Sequence, residues 1–199
     1  MLKKFLFAVV SCLALSPAFA ALTFTLTETG GNVVVTASGS VNTAALTPMG
    51  AGFCGVAGDI VASSAGFCGG AGALVGYMGM TGPTSFGSGG ATVGNSTSGD
   101  AVGVSGVTGE VFLPGGYLSG SALSGTATFA GATFASLGVT PGTYTWTFGS
   151  GAAADSVVVT AGAVVSNVHN VPTLGQWALV LLAGLLGCMS VGALRRRAA

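Results

Sequence analysis

The sequence has 199 residues and a formal net charge of zero, but its charges are unevenly placed. The basic residues are Lys3, Lys4 and Arg195 to Arg197, whereas all five acids lie between positions 21 and 194, giving that segment a formal charge of −5. A segment without cations cannot neutralise phosphates, which excludes nucleic acids and anionic lipid surfaces as its partners.

The first twenty residues have the layout of a secretory signal peptide. Lys3 and Lys4 precede the apolar stretch 5–15, and Ala18 and Ala20 form a small-x-small cleavage signal. We therefore predict a signal helix at 1–20 that is removed so that Ala21 becomes the first mature residue.

Residues 21–162 have a composition that favours a folded β domain. The chain contains 36 glycines, and this segment is also rich in Ala, Ser, Thr and Val. Disordered segments are usually charged and poor in β-branched residues, which is the opposite of this composition. We predict an all-β fold, an antiparallel β-sandwich with glycine-rich loops.

The domain opens with a strong strand pattern. Residues 22–27 alternate Leu or Phe with Thr, residues 29–32 are typical of a tight turn, and residues 33–37 are again rich in valine. This pattern predicts an antiparallel hairpin between Leu22 and Val41.

Between Thr43 and Gly99 the alternation fades, and Ala-Gly-Phe-Cys-Gly occurs twice, at 51–55 and 65–69. These copies contain Cys54 and Cys68, and the oxidising environment outside the cytoplasm predicts a disulfide between them. It would contribute about 3 kcal/mol by closing the loop. The alternative is a metal or redox site, but the spacing is not CxxC and no histidine is near, so we predict no metal and no cofactor.

Strand candidates return after residue 100, separated by turn residues. They are Val102–Val104, Glu110–Leu113, Tyr117-Leu118, Thr126–Phe129 and Ala132–Ala135. A final hairpin follows, in which Tyr144, Trp146 and Phe148 share one face of a strand that returns as 156–160. The three aromatic residues are predicted to form the densest part of the core.

The residues that could carry catalysis are few and scattered. Glycoside hydrolysis needs two carboxylates at a defined separation, and a catalytic triad needs a positioned nucleophile beside a base. His169 is the sole histidine and has neither an acid nor a nucleophile near it, and Asp155 is better placed to stabilise its own turn. We therefore predict that the protein is not an enzyme.

The C-terminal region contains a membrane-spanning pattern. Residues 177–194 are eighteen consecutive residues without charge, and Arg195, Arg196 and Arg197 follow. As an α-helix this run would be roughly 27 Å long, close to the thickness of a bilayer core. We predict a transmembrane helix at 177–194 and, from the arginines at 195–197, a cytoplasmic C-terminus.

The segment before this run carries a short motif. Val171, Pro172, Thr173 and Leu174 are followed by Trp177, the apolar run and the basic end. This arrangement resembles the IPTL-CTERM sorting tail, a relative of the PEP-CTERM tails, with Val171 in place of the usual isoleucine. Pro172 keeps the chain extended and accessible. We assign the motif to 171–177, the tail to 171–199 and a spacer to 163–170; an ordinary membrane anchor is the alternative.

The resemblance implies a place of action. An exosortase-type enzyme of a Gram-negative bacterium would cleave an inner-membrane precursor at the motif, and the domain would pass to the cell envelope, surface or extracellular matrix. The expected role is structural or adhesive, and an uncharged, threonine-rich surface suits contact with extracellular polysaccharide. The alternatives are a carbohydrate-binding module, for which Tyr117 or Trp146 could stack on sugars, and a secreted hydrolase.

Overall fold

The computed structural model describes residues 21–54 and 57–162, without the side chains of Phe53 and Cys54. The predicted signal helix, the spacer and the tail with its predicted transmembrane helix lie outside these residues. The strands are β1 (Ala21–Thr29), β2 (Asn32–Gly39), β3 (Thr47–Cys54), β4 (Asp59–Val61), β5 (Gly66–Gly69), β6 (Gly72–Met78), β7 (Ala91–Val93), β8 (Ser96–Gly99), β9 (Val102–Ser105), β10 (Glu110–Pro114), β11 (Leu123–Ala130), β12 (Gly142–Phe148) and β13 (Asp155–Ala161).

These strands form two sheets. Sheet A has the order β12-β13-β1-β2-β11-β8, and sheet B has the order β3-β6-β10-β9-β5-β4-β7. The described residues contain no α-helix, only short 3₁₀ turns such as Thr43–Ala45. The prediction of an all-β domain is confirmed.

The two sheets share one hydrophobic core, as in a β-sandwich. Alternate residues of β1, β2 and β13 point into it from sheet A, and alternate residues of β4, β9 and β10 enter from sheet B. Phe24 and Phe67 meet across the sheets in an edge-to-face contact with ring centroids 5.2 Å apart. The main core therefore lies between the inner faces. A second, smaller cluster consists of Leu74 and Ala101, with Phe112 and Cys68 of the outer face of sheet B packed against it.

The predicted opening hairpin is confirmed. Strands β1 and β2 pair in antiparallel register from Thr23↔Ser38 to Thr29↔Asn32. The turn consists of Gly30 and Gly31, both at positive φ (58° and 76°), a conformation that glycine adopts without steric cost.

The predicted final hairpin is confirmed as well. Strand β12 pairs with β13 along its whole length, and Trp146 is fully buried while Phe148 is 5% exposed. Tyr144 is only half-buried, because its hydroxyl reaches out of the core and donates to the Thr140 carbonyl at 2.8 Å. Two of the three aromatic residues therefore lie deep in the core.

One strand pair departs from the predicted antiparallel pattern. Strands β1 and β13 run parallel, from Ala21↔Ser156 to Leu26↔Ala161. Alternation of apolar and polar residues fixes which side of a strand is buried, but it carries no information on strand direction. The hairpins β1-β2 and β12-β13 are each antiparallel, and they join through a parallel contact.

Two predicted strands are wrong. Residues 132–135 form a turn, in which the Thr133 and Ser136 side chains accept each other's backbone N–H groups at 3.0 and 2.8 Å. Such local hydrogen bonds compete with strand pairing. Tyr117 and Leu118 lie in the loop after β10, where the Tyr117 N–H donates to the Pro114 carbonyl at 3.0 Å.

Candidate functional site

Most of the residues predicted to act in export and sorting lie outside the described residues. These are Ala18, Ala20, Val171, Pro172, Thr173, Leu174, Trp177, Arg195, Arg196 and Arg197. Ala21 is the first residue of β1. The cleavage position and the roles of the tail residues stay predictions.

The predicted disulfide is only half within the described region. Cys68 lies on β5, on the outer face of sheet B, and takes part in a disulfide. The side chain of Cys54 is outside the described residues. The pairing of Cys54 with Cys68 therefore stays a prediction.

Four of the five acids are engaged in holding the chain. Each accepts a hydrogen bond from a backbone N–H or a nearby hydroxyl. The donors are Phe134 N–H for Glu28, Ser124 N–H for Asp100 (2.8 Å), the Thr108 hydroxyl for Glu110 (2.6 Å) and Asn42 N–H for Asp155 (2.7 Å).

The crossover from sheet A to sheet B is fixed by two of the polar side chains. Asp155 is 5% exposed and accepts from the N–H groups of Asn42 and Ser156, both at 2.7 Å. The Tyr117 hydroxyl accepts from Val41 N–H at 2.9 Å and donates to the Ser121 carbonyl at 2.7 Å. Burial raises the pKa of Tyr117, and the nearby Asp155 charge adds to this. Both side chains therefore hold the backbone of the crossover in place.

Asp59 differs from the other acids. It lies on the outer face of sheet B, in a cross-strand row with Cys68, Gly103 and Phe112. A cleft of about 270 Å³ opens there, with Phe112 on one side and Asp59 on the other. The Asp59 carboxylate has no hydrogen bond to another described residue, and burial raises its pKa.

This cleft presents one carboxylate and one aromatic ring. No group of three or more His, Cys, Asp or Glu side chains that could hold a metal ion occurs in the parts of the chain that are described. Glu110, the other acid on this face, is bound to Thr108. One carboxylate beside an aromatic ring can hold a small ligand, but it supplies only one of the two carboxylates that glycoside hydrolysis needs.

The described aromatic side chains offer no flat exposed platform for sugar stacking. Trp146 is fully buried, and its indole N–H donates to the Pro83 carbonyl at 2.9 Å. Tyr117 is half-buried with its hydroxyl occupied. The large hydrophobic side chains that are exposed in the described region are aliphatic: Met49, Met78, Val93, Val107 and Leu118.

The outer face of sheet A carries a continuous row of hydroxyl side chains. Strand pairing places one such residue from each of the six strands side by side. This hydroxyl row consists of Thr143, Thr160, Thr25, Thr36, Thr126 and Ser98. At the usual strand separation of about 4.8 Å, it is roughly 24 Å long.

A second row of side chains, also rich in hydroxyl groups, lies beside the hydroxyl row on the same face. This second row includes Thr145, Thr23, Ser38 and Ser124. A depression of about 150 Å³ lies between β2, β11 and β8, and its lining includes Thr36, Ser98, Ser124 and Thr126. None of the residues in these rows is charged.

The sequence pattern predicted which threonines share a face of their strand, but not how they align across the sheet. Alternation places Thr23, Thr25 and Thr27 on one side of β1, and Thr143, Thr145 and Thr147 on one side of β12. It does not reveal that β13 separates these strands, nor which threonines align. The signal was the Thr-x-Thr spacing; the register came only from the fold.

The comparisons with known proteins bear on the tail. Residues 171–197 match the model of the IPTL-CTERM motif, so the chain carries this sorting motif at its C-terminal end. No curated protein and no solved structure matches the chain. Among the described residues there is no helix with the length and apolarity to cross a membrane, and the span predicted at 177–194 lies outside them.

Proposed function

We propose that this chain is an exported bacterial surface protein whose β domain has a structural or adhesive role and is not an enzyme. The observation that carries the proposal is the IPTL-CTERM motif at 171–197, which follows a β domain whose last strand ends at Ala161. A motif of this kind is a C-terminal sorting signal and implies an exported protein that is processed by an exosortase-type enzyme.

The proposed sequence of events begins with removal of residues 1–20. The apolar run 177–194 then holds the precursor in the inner membrane with Arg195 to Arg197 in the cytoplasm. The processing enzyme recognises Val171 to Leu174 and transfers the domain to the envelope or the extracellular matrix. An ordinary anchor would instead leave the tail attached.

The engaged acids support a non-catalytic role. Asp100, Asp155 and Glu28 each hold a backbone N–H group, so they are occupied with the fold. A secreted hydrolase needs polar groups that converge on a bound substrate. The cleft on sheet B presents Asp59 without a second free carboxylate beside it among the described residues.

The test is a comparison of tail variants expressed as the full chain in a Gram-negative host that has an exosortase-type enzyme. The motif variant replaces Pro172 and Thr173 with Ala. The matched control replaces Asn167 and His169 with Ala in the spacer. Fractionation gives the location, and intact mass gives the processing state, because residues 21–194 contain no Lys or Arg for trypsin.

We expect the wild type and the spacer control to lose the tail and to reach the envelope or matrix. The motif variant should accumulate at full mature length in the inner membrane. If the motif variant were cut and distributed like the wild type, the sorting role of Val171 to Leu174 would be refuted. If the wild type kept its tail throughout, the ordinary anchor would be the correct description.

A further inference from the structure

We propose that the outer face of sheet A binds an uncharged, hydroxylated polysaccharide laid along the hydroxyl row, with one sugar ring in the depression beside Ser98 and Ser124. This inference rests on the proposed function, since it names the partner of an adhesive surface domain. It assigns the binding to sheet A and not to the cleft at Asp59.

The hydroxyl groups of the row are available to a ligand. Thr126 and Ser98 share a hydrogen bond of 2.8 Å at one end of the row. The side chains of Thr143, Thr160, Thr25 and Thr36 make no hydrogen bond to another described residue. A hydroxyl both donates and accepts, so the row can match either partner in the hydroxyl groups of a sugar.

The charge of the face selects the class of polymer. The two rows contain only Thr, Ser and Val positions. The carboxylates of Asp155 and Glu28 are turned to backbone N–H groups elsewhere, and the Asp100 carboxylate accepts from the N–H of Ser124 at the edge of the second row. A polyanion would find no cation here, and a polycation would find the single carboxylate of Asp100, which is already bound to Ser124 N–H. Because the face offers so little ionic attraction, a neutral polymer is the best match in charge.

The shape of the face favours an extended chain over a single sugar. The hydroxyl row crosses all six strands and is roughly 24 Å long, which exceeds the size of one sugar ring. The depression of about 150 Å³ at its end is lined by Thr36, Ser98, Ser124 and Thr126 together with Ala37, Gly99 and Gly125. The depression can seat one ring, while the row supports the rest of the chain.

Threonine methyl groups supply the apolar part of the contact. A sugar ring presents C–H faces as well as hydroxyl groups, and each threonine of the row offers a methyl group beside its hydroxyl. The threonines are stiff at χ1 and stand on paired strands, so little side-chain freedom is lost on binding.

The experiment is a sedimentation assay with the mature protein recovered from cells that export the full chain. The probes are microcrystalline cellulose and curdlan as neutral polysaccharides, with calcium-alginate beads and chitosan as charged ones. We expect binding to at least one neutral polymer, little binding to alginate or chitosan, and no weakening between low and high NaCl. Absence of binding to both neutral polymers would overturn the proposal.

The row variant replaces Thr25 and Thr36 with Val, which removes two hydroxyls from the centre of the row and preserves strand preference. We expect about tenfold weaker binding, in line with the loss of two hydrogen bonds. The matched control replaces Thr47 and Thr92, on strands β3 and β7 of sheet B, with Val and should bind like the wild type. A second variant, Ser98→Ala with Ser124→Ala, alters the rim of the depression and should also bind more weakly.

Unchanged binding in both hydroxyl variants would place the binding surface elsewhere and overturn the proposal. Sedimentation velocity of the wild type and the row variant tests a second copy of this chain as the occupant. Self-association that the row variant abolishes, together with no polymer binding, would assign the face to self-assembly instead. Fractionation of the row variant separates this proposal from the sorting role: it should be exported and processed like the wild type whatever its polymer binding.

Discussion

The two outer faces of the domain differ in how side chains cover the sheet. On sheet A, alternating strands place hydroxyl side chains in a row that crosses all six strands. On sheet B, glycines occupy outward positions beside Phe112, and β3 changes register between Pro48 and Ala51. On sheet A, side chains of similar size form a level surface. On sheet B, the glycines have no side chains to fill the space beside Phe112, and the cleft at Asp59 lies there.

The largest difference that mutation should reveal lies between an inner and an outer aromatic residue. Trp146→Ala on sheet A removes a fully buried side chain and should lower the free energy of unfolding by about 3–5 kcal/mol. Phe112→Ala on the outer face of sheet B should cost about 1–2 kcal/mol, because its ring is only half-buried. Urea denaturation followed by circular dichroism measures both.

Leu118→Ala is the control for these substitutions. Leu118 is 75% exposed, so its replacement should change stability by less than about 0.5 kcal/mol. Equal losses for Trp146→Ala and Phe112→Ala would mean that the small cluster around Leu74 and Phe112 stabilises the domain as much as the main core, and the contrast between the two faces would fail.

A second test concerns the glycines of sheet B. A methyl group on Gly103 would lie 2.5 Å from the Phe67 carbonyl oxygen, so Gly103→Ala should cost about 1–3 kcal/mol. The matched control is Gly52→Ala, where the nearest atom is Phe112 Cδ1 at 3.7 Å, an ordinary contact. Thermal denaturation should show a clear loss for the first and almost none for the second; equal effects would disprove a specific need for glycine at 103.

The link between the sheets provides a smaller effect. Tyr117→Phe removes the hydroxyl that binds Val41 N–H and the Ser121 carbonyl and should lower stability by about 1–2 kcal/mol. Tyr77→Phe is the control, since the Tyr77 hydroxyl makes no hydrogen bond to a described residue. Denaturation curves that coincide for the two variants would show that the Tyr117 hydroxyl does not stabilise the crossover.

The smallest effect should come from Asp59 and should depend on pH. Burial raises the pKa of Asp59 in the folded state, so folding favours its protonated form. The ionised group therefore weakens the fold above the folded pKa, and this penalty disappears as pH falls below the unfolded value of 3.8. Asp59→Asn should raise the melting temperature slightly at pH 7 and leave it unchanged near pH 3.5.

A melting temperature for Asp59→Asn that was lower than that of the wild type at pH 7 would mean that the carboxylate has a stabilising partner. In that case the Asp59 carboxylate, like the other four acids, would be bound to a partner within the domain.

Sheet A was largely predictable from the sequence because its strands alternate cleanly. The hairpin at Gly30 and Gly31 and the strand containing Trp146 follow from local patterns of two-residue period. Sheet B was predictable only in part. The candidates at Val102–Val104 and Glu110–Leu113 are its strands β9 and β10, but β4 and β7 have only three residues each and pair with each other across a long stretch of chain. Glycine also weakens the alternation by which strands are recognised.

Of the candidate functional features, only the one formed by consecutive residues was predictable from the sequence. The tail motif from Val171 to Trp177 is contiguous, and the family match confirms it. The hydroxyl row is assembled from six strands whose order places β13 between β12 and β1. The predicted strand at Ala132–Ala135 failed because the Thr133 and Ser136 side chains bind each other's backbone N–H groups, and these local hydrogen bonds compete with strand pairing.

The parallel pair of β1 and β13 determines how the domain bears mechanical load. Because Ala21 lies beside Ser156 and Leu26 beside Ala161, the chain enters sheet A at one end and leaves it at the other. Tension applied at Ala161 therefore acts along the axis of β13, which has a neighbour on each side in β12 and β1. The hydrogen bonds on both sides must slide and break together under such shear, whereas a terminal hairpin pulled across its strands would unzip one bond at a time.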